Sequence, residues 1–339
     1  MAAARTRAAR TGTTETRDGV ELTSLDGPLF DGAASDGTAS DGKGHTKRDL
    51  VDYLDAVRHA ILPALAGRAL SVMRVRPGQQ PFMQKNLPKY APEWIARTTV
   101  WAEASHREVT YPLCDDRRTL LWLANQRAVE YHPALIRAGE QHATHLVLDL
   151  DPPEGDGPVP VNWAHVVRAA MLIRRVLDDL GLVGAVKTSG SKGVHIFVPI
   201  TPVPVMDSAA ATRAIAARAE ALDPEIATTA FIRADRAGKV FLDSTRSIGA
   251  TVVAAYSPRI RPGLPVSFPV AWDDLPHVTP ADFTVATAPG LLGDGDPWAA
   301  ALPDPQELPA ELLEHGHTIP VARVAAMHEG KRRKRAQQE

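Results

Sequence analysis

A seven-residue run, His145-Leu-Val-Leu-Asp-Leu-Asp151, constrains this chain more than any other feature. In extended backbone successive side chains point to opposite faces, so Leu146, Leu148 and Leu150 share one side and His145, Val147, Asp149 and Asp151 the other. A strand of this kind needs an apolar layer against its leucines and a polar space before its carboxylates. Pro152 and Pro153 cannot extend a ladder, which puts the two acids at the strand's lip. Like charges so close repel unless a cation lies between them, and paired carboxylates are the oxygen ligands that Mg²⁺ or Mn²⁺ prefers. A D-x-D triplet also arises where aspartates cap turns, so this pair needs other elements to carry chemistry.

Two further segments supply them. Thr188-Ser-Gly-Ser-Lys-Gly-Val-His195 sets two glycines, two hydroxyls and a lysine between apolar stretches. Backbone N–H groups and a cation arranged in this way can surround phosphate oxygens. The spacing is not that of a Walker loop, and a tight hairpin with a satisfied histidine reads equally well from these residues alone. Lys239-Val-Phe-Leu-Asp243 ends a short apolar strand on a third carboxylate. Three strand-end carboxylates are enough for a two-metal site, in which one ion activates a 3′-hydroxyl and the other clamps a triphosphate.

The rest of the chain alternates helices and strands without a regular repeat, giving a mixed α/β fold class. Helical periodicity runs from Asp49 through Leu50, Tyr53, Leu54, Val57 and Ile61 behind Thr46, stopping near Pro63. Further helices are expected over residues 119–130, 163–180 and 209–222, and strands over 68–76, 185–188, 194–200, 240–243 and 251–256. Residues 1–20 are poor in large apolar side chains and read as a disordered leader, and residues 31–44, where Ala-Ser-Asp-Gly occurs twice, read as a flexible insertion. A single mixed α/β domain is thus expected over 21–300. A C-terminal extension would follow over 301–339, ending in the basic run Lys331 to Arg335.

With 38 basic against 40 acidic residues, the whole chain is not an overt nucleic-acid binder, so a binding surface has to come from local clustering. One stretch supplies it: Arg74, Arg76, Lys85, Lys89, Arg97 and Arg107 against Glu93 and Glu103, with Phe82 and Trp94 among them. Basic residues interleaved with aromatics suit a stacked, backbone-tracking strand, and the alternative is an ordinary solvated face. A single cysteine, Cys114, excludes a disulfide framework and a zinc site built from cysteines. No stretch approaches the roughly 20 apolar residues of a membrane span, so the expectation is a cytoplasmic protein with no membrane partner.

Together the segments 145–155, 188–195 and 239–243, followed by Ala255-Tyr-Ser-Pro-Arg-Ile-Arg-Pro-Gly263, resemble in order the motifs of the polymerase domain of bacterial ATP-dependent DNA ligase D, a member of the archaeo-eukaryotic primase superfamily. The likeness runs from about Leu22 to Trp298. It implies a primase-like fold with an RRM-like catalytic sheet and a template-dependent nucleotidyltransferase that adds nucleotides, preferably ribonucleotides, to DNA 3′ ends in non-homologous end joining. It also implies two ions, Mn²⁺ or Mg²⁺, an NTP or dNTP substrate, and nicked, gapped or broken duplex DNA as partner at the bacterial nucleoid. Ku and a separate ATP-dependent ligase are the expected companions, supplied in trans.

Carried over by position, Asp149, Asp151 and Asp243 are the metal ligands, and His132, Ser189, Lys192, His195, Arg259 and Arg261 are the nucleotide-binding residues. Lys47, Phe82 and Lys85 are the implied DNA contacts. The sequence departs from the family at Ser24 and Gly27, where a 5′-phosphate grip is usual, at Met83 in place of a second template-side aromatic, and at Ser244 after the third aspartate. Alternative readings are a primase that starts chains de novo, a catalytically silent DNA-end-binding module, and a mononuclear hydrolase using His142, His145 and the aspartates.

Overall fold

The protein is described from a computed structural model covering residues 14–30, 44–102, 106–153, 163–247 and 251–321. The expected insertion, apart from Gly44, and the basic tail lie outside these residues. The chain opens with a hairpin, β1 (Glu15–Arg17) against β2 (Val20–Leu22), closed by Asp18 and Gly19, both at positive φ. Asp-Gly is a strong two-residue hairpin signal, and it draws residues 15–20 out of the expected leader into the fold.

Thr46 caps α1 (Lys47–Ala56) through a reciprocal box with Asp49. The apolar face that sequence periodicity assigned to one helix belongs to two. The chain breaks at Val57 and resumes as α2 (Arg58–Leu65), which carries Pro63 inside it rather than ending there. Next come β3 (Arg68–Arg76), β4 (Gln79–Gln84) and a separate hairpin, β5 (Arg97–Ala102) with β6 (Arg107–Pro112). Asp116 caps α3 (Arg117–Asn125). The helix expected to reach residue 130 stops five residues short, because Arg127 takes φ 60° and turns the chain into β7 (Ala128–Arg137).

The second half of the chain follows: β8 (His142–Asp151), α4 (Trp163–Asp179), β9 (Ala185–Thr188), β10 (Val194–Pro204), α5 (Val205–Leu222), β11 (Ala227–Thr228), β12 (Val240–Asp243) and β13 (Pro269–Val270). Short helices α6 (Ala288–Leu292) and α7 (Pro297–Ala301) and then α8 (Ala310–Thr318) complete the described chain. Residues 251–256 are not a strand. Thr251 makes a single bridge to Ala134, and Val252 and Ala254 donate to the carbonyls of Pro133 and Tyr131 before Tyr256, at φ 66°, turns the chain away.

Strand order across the main sheet is β13-β9-β10-β8-β7-β3-β4, with β12 also on β8 and β11 beside it. The leucines of β8 and the facing Val194, Ile196 and Val198 of β10 are buried, and α4 and α5 cover this layer with Val166, Ile173, Leu177 and Ile215. β7 and β8 share one registered pair, Ile136 with Ala143, and then separate. The edge of β8 that β7 leaves is taken at its far end by β12. Between these two contacts the Val147 N–H is met by the Ser247 hydroxyl, so that a buried backbone donor is not stranded where the ladder lapses. Among the described residues no helix is long and apolar enough to cross a membrane.

Candidate active site

Register alone brings the acids together. β12 runs antiparallel to β8 with Asp243 opposite Asp149, and β10 flanks the other side with His195 opposite Asp149. Directly opposed residues on one sheet face have their Cβ atoms about 5 Å apart, so Asp149 stands between Asp243 and His195, with Asp151 one pleat further on. All three carboxylates leave the sheet on the face away from the leucines.

Arg246, on the turn after β12, organises them. Its guanidinium lies 3.0 Å from Asp149 Oδ2 and 3.3 Å from Asp243 Oδ2. His195 Nε2 approaches Asp149 Oδ1 at 3.2 Å, and Asp243 Oδ1 accepts from the backbone and hydroxyl of Thr245. Burial would raise the Asp149 carboxyl, but His195 and Arg246 hold it well below the usual carboxylate range. Asp151 goes the other way, pushed up to about 7 by burial and by the negative charge of Asp149 and Asp243. Among the described residues no three His, Cys, Asp or Glu side chains are grouped tightly enough to hold an ion as they stand, and the Arg246 guanidinium is the cation shared by Asp149 and Asp243. The donor set still fits a divalent cation: three hard carboxylates on one face, one of them, Asp151, raised to about 7 by burial and by the negative charge of the other two.

Opposite the acids is the cationic wall of a cleft of about 540 Å³. The turn between β9 and β10 is built on Ser189, whose Oγ accepts from the N–H groups of Ser191 and Gly193. Gly190 sits at φ +65°, and a Cβ there would come within 2.7 Å of Arg259 and of the Ser267 nitrogen. A Cβ on Gly193 would fall 1.9 Å from the Leu150 carbonyl oxygen. Both glycines are therefore dictated by close backbone approach. Arg259 donates to the Ser189 carbonyl at 2.6 Å and Arg261 to Ser191 Oγ at 3.2 Å, which ties the second arginine motif to the loop. Asp149, Asp151, Ser189, Lys192, His195, Arg259 and Arg261 line this one cleft.

His132 lies on β7. Its Nε2 is 2.8 Å from Glu130, whose other oxygen lies 3.2 Å from Arg259 and accepts from the Ile260 N–H. Burial alone would raise Glu130, but His132 and Arg259 bring it to about 2, so the carboxylate stays charged and links β7 to the cradle. The DNA candidates lie elsewhere. Phe82, half-buried on the edge strand β4, has the Arg76 and Arg74 guanidinium groups at 5.0 and 5.9 Å from its ring, and Lys85 follows it exposed. Lys47 is buried, with Nζ donating to the Thr23 carbonyl at 2.6 Å and to the Asn125 side chain. His145, of the hydrolase alternative, lies four residues back along β8, with Nδ1 on Thr144.

Sequence reasoning missed Arg246, Glu130, Lys187 and the cleft arginines Arg233 and Arg236. Arg246 carried a faint signal, an arginine three residues after the third aspartate. The others acquire meaning only from strand register.

Comparison with known proteins agrees with this geometry. Residues 46–298 match the family described as LigD, primase-polymerase domain. The bifunctional non-homologous end joining protein LigD of Bacillus subtilis (strain 168) is 30% identical over 303 residues, covering 87% of this chain and 46% of that protein. The multifunctional non-homologous end joining DNA repair protein LigD of Mycobacterium tuberculosis (strain ATCC 25618 / H37Rv) is 37% identical over 247 residues, covering 68% of this chain and 31% of that protein. The chain thus spans less than half the length of these curated relatives. Among solved structures, the polymerase domain from Mycobacterium tuberculosis ligase D in complex with DNA superposes with a TM-score of 0.73 at 32% identity, covering 83% of this chain and 97% of that one. The mixed α/β fold is the archaeo-eukaryotic primase-like fold of that polymerase domain. The chain belongs to the LigD primase-polymerase domain family.

Proposed function

We propose that this chain is a template-dependent nucleotidyltransferase that adds nucleotides, ribonucleotides by preference, to DNA 3′ ends during non-homologous end joining. One observation carries the reading: Asp149 and Asp151 line a single cleft together with Ser189, Lys192, Arg259 and Arg261, and strand register sets Asp243 directly beside Asp149. Asp149, Asp151 and Asp243 would hold two divalent ions, Mn²⁺ or Mg²⁺, which supply the positive charge that activates a 3′-hydroxyl and balances the triphosphate.

The chain's own groups do the rest. The Ser189 turn fixes the cradle, and Arg259, held by Glu130 and the Ser189 carbonyl, presents charge where the transferring phosphoryl group becomes more negative. His132, anchored to the same Glu130, marks the sugar side of the incoming nucleotide, and Phe82 with Arg74 and Arg76 forms a stacking surface for the template. DNA ends are the partner, with Ku and an ATP-dependent ligase acting beside the chain.

The test is primer extension with Mn²⁺, comparing NTPs with dNTPs on a recessed end and on a gap with or without a 5′-phosphate, wild type beside Asp149→Ala. Aspartate-dependent addition favouring NTPs is expected. Addition is also expected to be indifferent to the 5′-phosphate, because Ser24 and Gly27 lack cationic side chains and the Lys47 ammonium is turned to Thr23 and Asn125. DNA binding without addition on any substrate would point instead to a silent end-binding module.

A further inference from the structure

Lys187 is fully buried on β9, opposite His195 in the ladder and on the same sheet face. A lysine inside a protein core is costly compared with an apolar side chain of the same shape, so packing does not account for it. Its Nζ meets three groups: the Val253 carbonyl at 3.0 Å, Ser267 Oγ at 2.6 Å and His195 Nδ1 at 2.8 Å. It also lies 5.6 Å from the centre of the Phe197 ring.

Counting donors fixes the histidine. The Val253 carbonyl can only accept, and Ser267 gives its own hydrogen to the Thr188 carbonyl at 2.7 Å, so it accepts from Lys187. Two lysine N–H bonds are thereby committed. If Lys187 is an ammonium, its third N–H donates to Nδ1, and the single imidazole hydrogen is left on Nε2. If Lys187 is an amine, its lone pair accepts from Nδ1–H. Nε2, facing the Asp149 carboxylate at 3.2 Å, then needs a hydrogen as well, which would make the buried ring an imidazolium beside a neutral amine, against the ordinary order of basicity of the two groups. Either way Nε2 carries a hydrogen.

We propose that Lys187 is a positioning residue that locks His195 with a hydrogen on Nε2. His195 then meets the incoming triphosphate as a hydrogen-bond donor and serves neither as a base nor as a metal ligand. This rests on the nucleotidyltransferase reading and assigns a role to a residue outside the cleft lining.

The test uses the metal-free full chain labelled with ¹⁵N at histidine, with His195→Gln to assign the signal, and reads the ring hydrogens by long-range ¹H–¹⁵N spectra near neutral pH. A second measurement follows the binding of a non-hydrolysable nucleoside triphosphate with Mg²⁺. Wild type is expected to show Nε2–H. Lys187→Met, which keeps the bulk and removes the donor, is expected to let His195 drift to a mixture of tautomers and to weaken triphosphate binding about tenfold, the scale of one charged hydrogen bond. Lys187→Gln, whose amide N–H can still reach Nδ1, is expected to restore both to within about threefold.

A wild-type ring with its hydrogen on Nδ1 alone overturns the proposal. So does Lys187→Met with an unchanged histidine spectrum and unchanged affinity. Should Lys187→Met fail to fold, the wild-type spectrum and Lys187→Gln decide. If the lock is present in wild type and lost in Lys187→Met, while no triphosphate binds, the lock stands and the polymerase reading falls.

Discussion

Asp149 stands at the centre of the acid group, taking charge from His195 and Arg246 and lying opposite Asp243. Asp149→Ala is expected to reduce nucleotide addition by more than about 100-fold, a loss that even supporting groups around metals can cause. Far-ultraviolet circular dichroism should stay unchanged, since the leucine face of β8 is untouched. Retained addition would remove Asp149 from the site. Asp151 gives a pH signature. In the folded, metal-free chain its carboxyl keeps a proton up to about 7, against an ordinary value of 3.8, so the fold binds more protons than the unfolded chain between those limits. Its contribution to stability is present at the acid end and fades as pH rises through that window. Buried His195 and His145, both lowered to about 4, work in the opposite sense over part of the same range and mask it. The difference between Asp151→Asn and wild type separates the two effects: the variant should gain in melting temperature relative to wild type as pH climbs from 4 to 7, and saturating Mn²⁺ should abolish that trend by stabilising wild type alone. A pH-independent difference would mean that Asp151 is not protonated in the fold.

At the scale of elements, the turn between β9 and β10 is the least tolerant segment of the site. Gly193→Ala places a methyl group 1.9 Å from the Leu150 carbonyl oxygen, backbone against backbone. It should cost about 3 kcal/mol or more in chemical denaturation, at or beyond the upper end of the ordinary range for a single substitution. A loss below about 1 kcal/mol would mean that β10 can slide over β8. The same scale shows why some elements could be read in the sequence and others could not. β8 was legible because its alternation is strict and its end is marked by prolines, and the cradle because its glycines and hydroxyls cluster. β7 was hidden behind α3, since Thr119 to Glu130 continues to look helical until Arg127 takes a left-handed turn that no local pattern marks. Residues 251–256 carry strand-forming side chains, but they lie over β7 in an irregular path, so tertiary contact overrode propensity. Arg246, Glu130 and Lys187 became functional candidates through partners about 97, 130 and 8 residues away, a relation visible only once register is known.

Seen as one molecule, the half-sheet β7-β3-β4 meets the strands of the acid site at one registered pair, and beyond it is tied to them by the Glu130–Arg259 ion pair and the Val252 and Ala254 bonds to β7. β7 touches β8 at the Ile136–Ala143 pair and then departs, with β12 filling the far end of the edge it leaves. From Ile136 to Ala128 is about 26 Å of extended chain, so a tilt of about 3° at that pair carries the Phe82 end of the half-sheet more than 1 Å while the carboxylates of β8 stay still. Were the half-sheet to tilt there, Phe82 would lie at the far end of the longer arm, while β10 and β12 hold β8 on both edges. Spin labels at exposed Met83 on the arm and exposed Arg175 on α4 should therefore report a distance that shifts when template DNA binds, while a label pair within the second half of the chain holds constant. Under the proposed function, a template strand that seats differently on the Phe82 arm would move that arm alone, so the half-sheet could follow the shape of an end while the carboxylates of β8 keep their places.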